Sequence, residues 1–418
     1  MKNLIGTMPK MQQNFELKTP VKDALLFVFG VSITTPWLLI PGQLQSPRLT
    51  DLMLIVMAAT AFPMTRRAQV VAMSGVAVIL VSWILQMFAA EQWPDPAEIV
   101  FYGRWLASAV AAAGLVERFQ TRDKTLRIFM SGVLAGVVLH VVSIFFAAAG
   151  LRDLLTAIGL ASPRALVSWA ALQVRYTTVA EHPNLAMALV GLAVPAAFCL
   201  SLTSRKLNYG PYRGLTVMLL ALFLLVAGFS FTLSRAALLA GAMSFLFYLI
   251  ARRDKAAAAM PFLLVLVMTA SLLIAPALGF EFDGTRYASR IDPDRLAQNL
   301  AGRGETSVQA LLSAFARPFG MGWSAYLEST PLFGVLRASH NGYLFAARTI
   351  GLPVAMLILV GHLMSAPLSH KFRISPLLVY CVAIMFAEDI TQGASFTFLV
   401  TLLAAYGWIG DLHGDRRS

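Results

Sequence analysis

The sequence predicts an all-α integral membrane protein, with about 12 transmembrane helices and one large periplasmic loop subdomain. Composition is the first ground for this. Of 418 residues, 58% are hydrophobic and only 13% charged, about half the charge of a soluble domain. The length of the apolar runs is the second. Runs of about 17 to 25 residues recur along the chain, and each can cross a bilayer as a helix. The third is the placement of charge, because lysine and arginine gather in alternate gaps between the runs.

Spans are expected near 23–40, 49–64, 70–90, 98–116, 127–149, 184–202, 214–231, 236–251, 260–279, 343–362, 376–391 and 395–410; the second and the last two are short. With the N-terminus in the cytoplasm, the inside segments hold 20 Lys and Arg, including all eight lysines, and the short outside loops hold five. That bias fixes both termini inside. The net charge of +12 is therefore mostly topology, and no nucleic-acid partner is expected. The layout is a cytoplasmic leader at 1–22, transmembrane helices 1–9 at 23–279, a periplasmic loop at 280–342, transmembrane helices 10–12 at 343–410, and a cytoplasmic tail at 411–418. No secretory signal is expected, since no small-residue cleavage site follows the first run. Cys199 and Cys381 fall inside spans without a partner at metal or redox spacing, which makes both buried structural residues.

Taken in order, the first five spans are joined by short loops anchored by Arg66–Arg67 and the Glu117–Arg127 run. Arg104 sits inside the fourth span, where a charge needs a partner, a cavity or a path to the interface. Leu151–His182 is an outside loop whose LRDLLTAIGL and ALVSWAALQV pieces read as interfacial helices. The EHPN segment, Glu181–Asn184, then opens the sixth span with proline and polar capping residues. Spans seven and eight form a tight hairpin with Ser234–Arg235 at its apex. Arg348 lies about two turns into span ten, and Glu388–Asp389 closes span eleven, placed to orient an arginine. No internal repeat is present, so the chain reads as one membrane domain.

The stretch that stands out is Glu281–Asn341, the largest polar interruption. Its positive charges are all arginine: Arg286, Arg290, Arg295, Arg303, Arg317 and Arg337. A planar guanidinium grips a phosphate bidentately, which an ammonium does not. The stretch runs into a lone histidine, His340, at the start of span ten, and histidine is the side chain best suited to take a proton near neutral pH. Within it, Gly302-Arg303-Gly304 precedes a helical Ser307–Ala316, the turn Arg317–Trp323 follows, and Ser-His-Asn-Gly-Tyr stands at 339–343. Asp292-Pro293-Asp294 is the nearest approach to a metal-ligand pair and reads as a proline turn.

Together with Thr232–Leu238 (TLSRAAL), these motifs resemble the O-antigen ligase and O-antigen polymerase superfamily. That family shows an S-R pair after an outer hairpin, a G-R before a helix, a P-x-x-G-x-G turn, and an H-N before a late span with Gly-Leu, here Gly351-Leu352. One departure is Ser307–Val308, where family members often carry tryptophan. The resemblance implies glycosyl transfer at the periplasmic face of the inner (cytoplasmic) membrane, from an undecaprenyl-diphosphate-linked glycan to a lipid A–core or glycan acceptor. Arg235, Arg303 and Arg175 are then the diphosphate-binding candidates, with Arg290 as the alternative to Arg303, and His340 is the candidate catalytic base. Fixed arginines stabilise the charge growing on a diphosphate leaving group, so neither a cofactor nor a metal is expected. A polymerase of the same superfamily is the runner-up reading, and a polysaccharide-related transporter or flippase the third.

The charge bias is testable directly. A cysteine placed at Ser307 is expected to react with a membrane-impermeant thiol reagent added from the periplasm, and one placed at Lys206 to stay unreacted. The opposite labelling pattern would invert the topology.

Overall fold

Runs that are apolar on every side make helices buried in lipid or in one another, and helices form almost throughout the described chain. The computed structural model describes residues 19–41, 47–90, 93–162, 166–168, 174–178, 183–204, 211–232, 234–252, 293–329, 341–371, 374–388 and 393–410. Its elements are α1 (Thr19–Thr34), α2 (Leu49–Ala59), α3 (Arg66–Ala90), α4 (Pro96–Thr121), α5 (Asp123–Ala148) and α6 (Arg152–Ala157), followed by β1 (Leu166–Ser168) and β2 (Val174–Tyr176). Then come α7 (Pro183–Gly191), α8 (Ala193–Ser204), α9 (Pro211–Thr232), α10 (Arg235–Arg252), α11 (Pro293–Ala316), α12 (Trp323–Ser329), α13 (Gly342–Thr349), α14 (Leu352–Lys371), α15 (Ser375–Ala387) and α16 (Ala394–Ile409). Among the described residues, four stretches are long and apolar enough to cross a membrane: Arg66–Ala89, Pro96–Thr121, Asp123–Ala148 and Asn184–Ser201. Shorter apolar helices accompany them, and the whole is an α-helical membrane protein. The expected span at 260–279 lies outside the described residues.

One expected span carries a local break, and the expectations need correcting at three further places. The span expected at 184–202 is matched by the apolar stretch Asn184–Ser201, which is turned locally at Leu192, between α7 and α8. Pro195 explains this, because its ring opposes the carbonyl four residues back, that of Gly191, and it offers no N–H. The span expected at 343–362 breaks between α13 and α14 at Ile350–Gly351, with Gly351 at φ +118° and Pro353 just beyond. The described part of ALVSWAALQV is extended rather than helical. Leu166–Ser168 pairs antiparallel with Val174–Tyr176, in the register Val167 opposite Arg175. The β-branched and aromatic residues at these positions favour extended backbone. Finally, Gly302-Arg303-Gly304 does not precede a helix but sits inside α11, which opens at Pro293. Each of the two glycines weakens a helix by about 1 kcal/mol relative to alanine.

Packing offsets that loss. Thr306, Ala310 and Ala314 of α11 are buried at helical spacing, and Ala314 clusters with Ala346 and Ala347 of α13. Small residues there let the two helices approach closely. The opposite side of α11 carries the large apolar residues, with Val308 58%, Leu312 63% and Phe315 64% exposed.

Arg104, inside the bundle, is paired. Arg104 of α4 donates from Nε to Asp51 Oδ1 at 2.7 Å and from Nη2 to Asp51 Oδ2 at 3.0 Å. Asp51 also accepts from the Arg48 backbone N–H at 2.9 Å, closing the first turn of α2. The intramembrane arginine therefore has a partner on the short helix α2. His362 of α14 joins three helices: its Nδ1 lies 2.8 Å from the Tyr343 hydroxyl of α13, and its Nε2 lies 2.8 Å from the Val400 carbonyl of α16.

The turn 317–322 docks against the α13–α14 break. Met321 N–H donates to Arg348 O at 2.7 Å, Gly322 N–H to Thr349 O at 3.1 Å, and Leu352 N–H to Pro318 O at 2.7 Å. From α3, Gln86 donates to the carbonyls of Phe319 and Thr349, and the Tyr102 hydroxyl of α4 is bonded to Gln86 and Thr349. Gly320 has φ +88°, and a Cβ there would lie 2.6 Å from Thr349 O. Gly351 would meet the Phe319 backbone at 2.8 Å. The glycines of the turn and of the Gly-Leu pair are thus two sides of one backbone contact.

Gly320→Ala is expected to lower the thermal midpoint in detergent, since the left-handed backbone alone costs about 1–2 kcal/mol. Gly302→Ala, whose Cβ meets nothing within 4 Å, is expected to leave the midpoint unchanged or raise it. The reverse order would contradict the docking of the turn.

Candidate functional site

Helix ends leave backbone groups to be satisfied, and four segments distant in sequence meet at such ends. Asn341 caps α13: its backbone is extended, and its Oδ1 accepts from the N–H of Tyr343 at 3.0 Å and of Leu344 at 3.1 Å. Gly342 follows because a Cβ would come within 2.9 Å of Met385 Cε and 3.3 Å of Glu388 O. The start of α13 therefore abuts the end of α15. α15 stops where Glu388 turns extended.

Glu388 is the centre of the cluster. Its side chain is 4% exposed. Its Oε1 accepts from Asn184 Nδ2 of α7 at 2.9 Å and from Arg303 Nη2 of α11 at 3.2 Å. Arg303 Nη1 also donates to the Ala387 carbonyl at 2.9 Å. Two acceptors thus fix the guanidinium plane, while its side chain stays 36% exposed. A guanidinium carries five N–H donors, so donors beyond these two remain to meet a ligand. Glu388 cancels part of the positive field at Arg303 and in exchange orients it. The arrangement suits an oxyanion brought to a pre-aimed arginine beside a helix N-terminus.

Of the sequence candidates, Arg303 is the one whose side chain the structure places. His340 and Arg290 lie outside the described residues. Arg175 is the central residue of β2, which packs against α9 and α5. Arg235 is the first residue of α10, directly after buried Ser234, and α10 packs against both α7 and α15. The side chains of Arg175 and Arg235 are not among the described parts. Arg317 is exposed and forms no ion pair with a described residue.

Glu388 fulfils its sequence reading as an orienting group, and a carboxylate at the end of an otherwise apolar helix was the signal. Asn184 was legible only as a helix start; its reach across to Glu388 leaves no trace in the local sequence. A second polar link bounds the region. The Ser324 hydroxyl of α12 donates to Asp95 Oδ2 at 2.6 Å, and this bond holds the Asp95 carboxyl below the usual carboxylate range. Asp95 also caps α4 by accepting from Glu98 N–H at 2.7 Å.

No protein-family model matches this chain, and no curated protein matches it.

The pair Arg303–Glu388 is asymmetric in burial, and its disruption should be asymmetric too. Arg303→Met deprives a buried carboxylate of its cationic partner, whereas Glu388→Gln frees an arginine that reaches water. We expect Arg303→Met to lower the thermal midpoint more than Glu388→Gln. Equal losses would mean that Glu388 is not the buried member.

Proposed function

We propose that the protein is an O-antigen ligase-like glycosyltransferase. It moves a glycan from undecaprenyl diphosphate to a lipid A–core acceptor at the periplasmic face of the inner membrane, within a frame of about twelve spans. The observation that carries this reading is the meeting of Arg303 with Glu388 and Asn184 beside the Asn341 cap. Two motif residues, Arg303 and Asn341, thus come together with Asn184 and Glu388 where α7 and α13 begin and α15 ends. α11 adds a second support. The helix that bears Arg303 exposes Val308, Leu312 and Phe315, a pattern suited to the membrane interface, where a lipid-borne diphosphate resides.

In this mechanism Arg303, with Arg235 and Arg175, stabilises the diphosphate as the glycosidic bond breaks and negative charge builds on the leaving oxygen. Glu388 keeps Arg303 aimed. His340 takes the proton from the acceptor hydroxyl as that oxygen bonds to the anomeric carbon. A polymerase differs only in the acceptor, which would be a second lipid-linked repeat.

The test is transfer by purified protein from a defined lipid-linked donor. Product that requires lipid A–core supports the ligase; product formed without it makes the protein a polymerase; no product with either acceptor removes the transferase reading and turns attention to transport. Arg303→Lys and Arg235→Lys are expected to lose most activity at normal membrane levels. His340→Gln keeps hydrogen bonding at the helix start but takes up no proton, and we expect a loss of about 10²- to 10⁴-fold. Transfer at the wild-type rate in that variant would reduce His340 to a cap.

A further inference from the structure

The membrane frame holds arginines whose guanidinium is bonded, and it also holds a fully buried arginine with donors unmet among the described residues. Arg104 grips Asp51 through Nε and Nη2, Arg303 bonds Glu388, and Arg118 donates to the Thr60 carbonyl. Arg348, on α13, is 1% exposed, and its Nε and Nη2 have no hydrogen-bond partner among the described residues. Its guanidinium carbon lies 5.1 Å from the centroid of the Tyr326 ring. The arginine remains charged at any accessible pH, so burial is not relieved by losing a proton. A cation–π contact offsets only part of the cost of burying unmet donors.

The geometry points to Arg348 as an oxyanion-binding residue, and we propose that its Nε–Nη2 edge receives a phosphate or carboxylate from a bound ligand. The two unfilled atoms are the same fork that in Arg104 holds a carboxylate at 2.7 and 3.0 Å. That fork matches two oxygens of one planar or tetrahedral anion. Tyr326 covers a face of the guanidinium and leaves the edge as the direction of binding. The backbone at this point is pinned, since Arg348 O accepts from Met321 N–H at 2.7 Å. Seven residues separate Arg348 from Asn341, so the two lie on one face of α13, about 10 Å apart along its axis. The subsite is therefore a deeper station beneath the cap, distinct from the Arg303–Glu388 pair. It does not depend on glycosyl transfer being the reaction.

Two measurements on the full-length protein in detergent test this. Phenylglyoxal modification of Arg348 is followed by mass spectrometry with and without inorganic pyrophosphate, and in a second arm with acetate. Protection by pyrophosphate alone names a phosphate, and protection by both names either oxyanion; protection by acetate alone names a carboxylate. Modification at the same rate in all arms, or no modification at all, overturns the proposal. Calorimetric binding of the protecting anion to Arg348→Met is expected to be weakened by about tenfold or more, as for loss of a charged hydrogen bond. Unchanged binding in that variant also overturns it. Arg348→Lys retains the charge without the fork, and if Arg348→Met fails to fold it serves in its place, with the same weakening expected. Loss of transfer activity in the wild type would leave both anion readouts intact, so the two readings fail separately.

Discussion

Wherever a helix breaks inside an apolar frame, the released N–H and C=O groups have no water to turn to. This constraint organises the second half of the molecule. The break between α13 and α14 and the turn between α11 and α12 answer each other: each supplies the backbone donors and acceptors that the other lacks. Gln86 and Tyr102 reach in from α3 and α4 to take up the remaining carbonyl capacity. The polar segment is consequently fastened to the helices by main-chain bonds, and its position does not rest on side-chain fit alone. Arg303 inherits that fixity through α11.

The charges of Arg104 and Arg303 are handled in the same spirit, by local pairing. Asp51 serves the first turn of α2 and Arg104 at once, so a helix of 11 residues, too short to cross a bilayer by itself, is tied to the full-length α4. Glu388 plays the corresponding part for α7, α11 and α15. The two carboxylates differ in what they leave open: the Arg104 fork is filled, whereas Arg303 retains donors and exposure.

The helical character of the chain was plainly legible, because apolar runs of sufficient length admit few other structures in a bilayer. The interruptions were harder. Pro195 and Pro353 were visible, but whether a proline kinks or divides a helix depends on what receives the freed carbonyl, and that is tertiary. The placement of Gly302 and Gly304 within α11 contradicts their propensity because alanine packing against α13 outweighs it. The β1–β2 pair escaped notice because its residues also fit an amphipathic helix of the same length. At the site, Arg303 could be named from its motif, while its partners could not be paired with it, since Asn184 and Glu388 are 119 and 85 positions away. Gln86 was passed over in an apolar run, although a buried amide there required an explanation.

The two faces of α11 bear on how the molecule is made. Its small-residue face needs α13, which is synthesised later, and its large-residue face, with Phe315 64% exposed, is poorly suited to water. During translation the segment therefore has neither of its final neighbours when it first emerges, and must wait at the membrane surface until the downstream helix arrives. For the same reason, residues 293–316 excised as a soluble fragment would associate with themselves. Grafting this segment onto another scaffold would require carrying α13 with it.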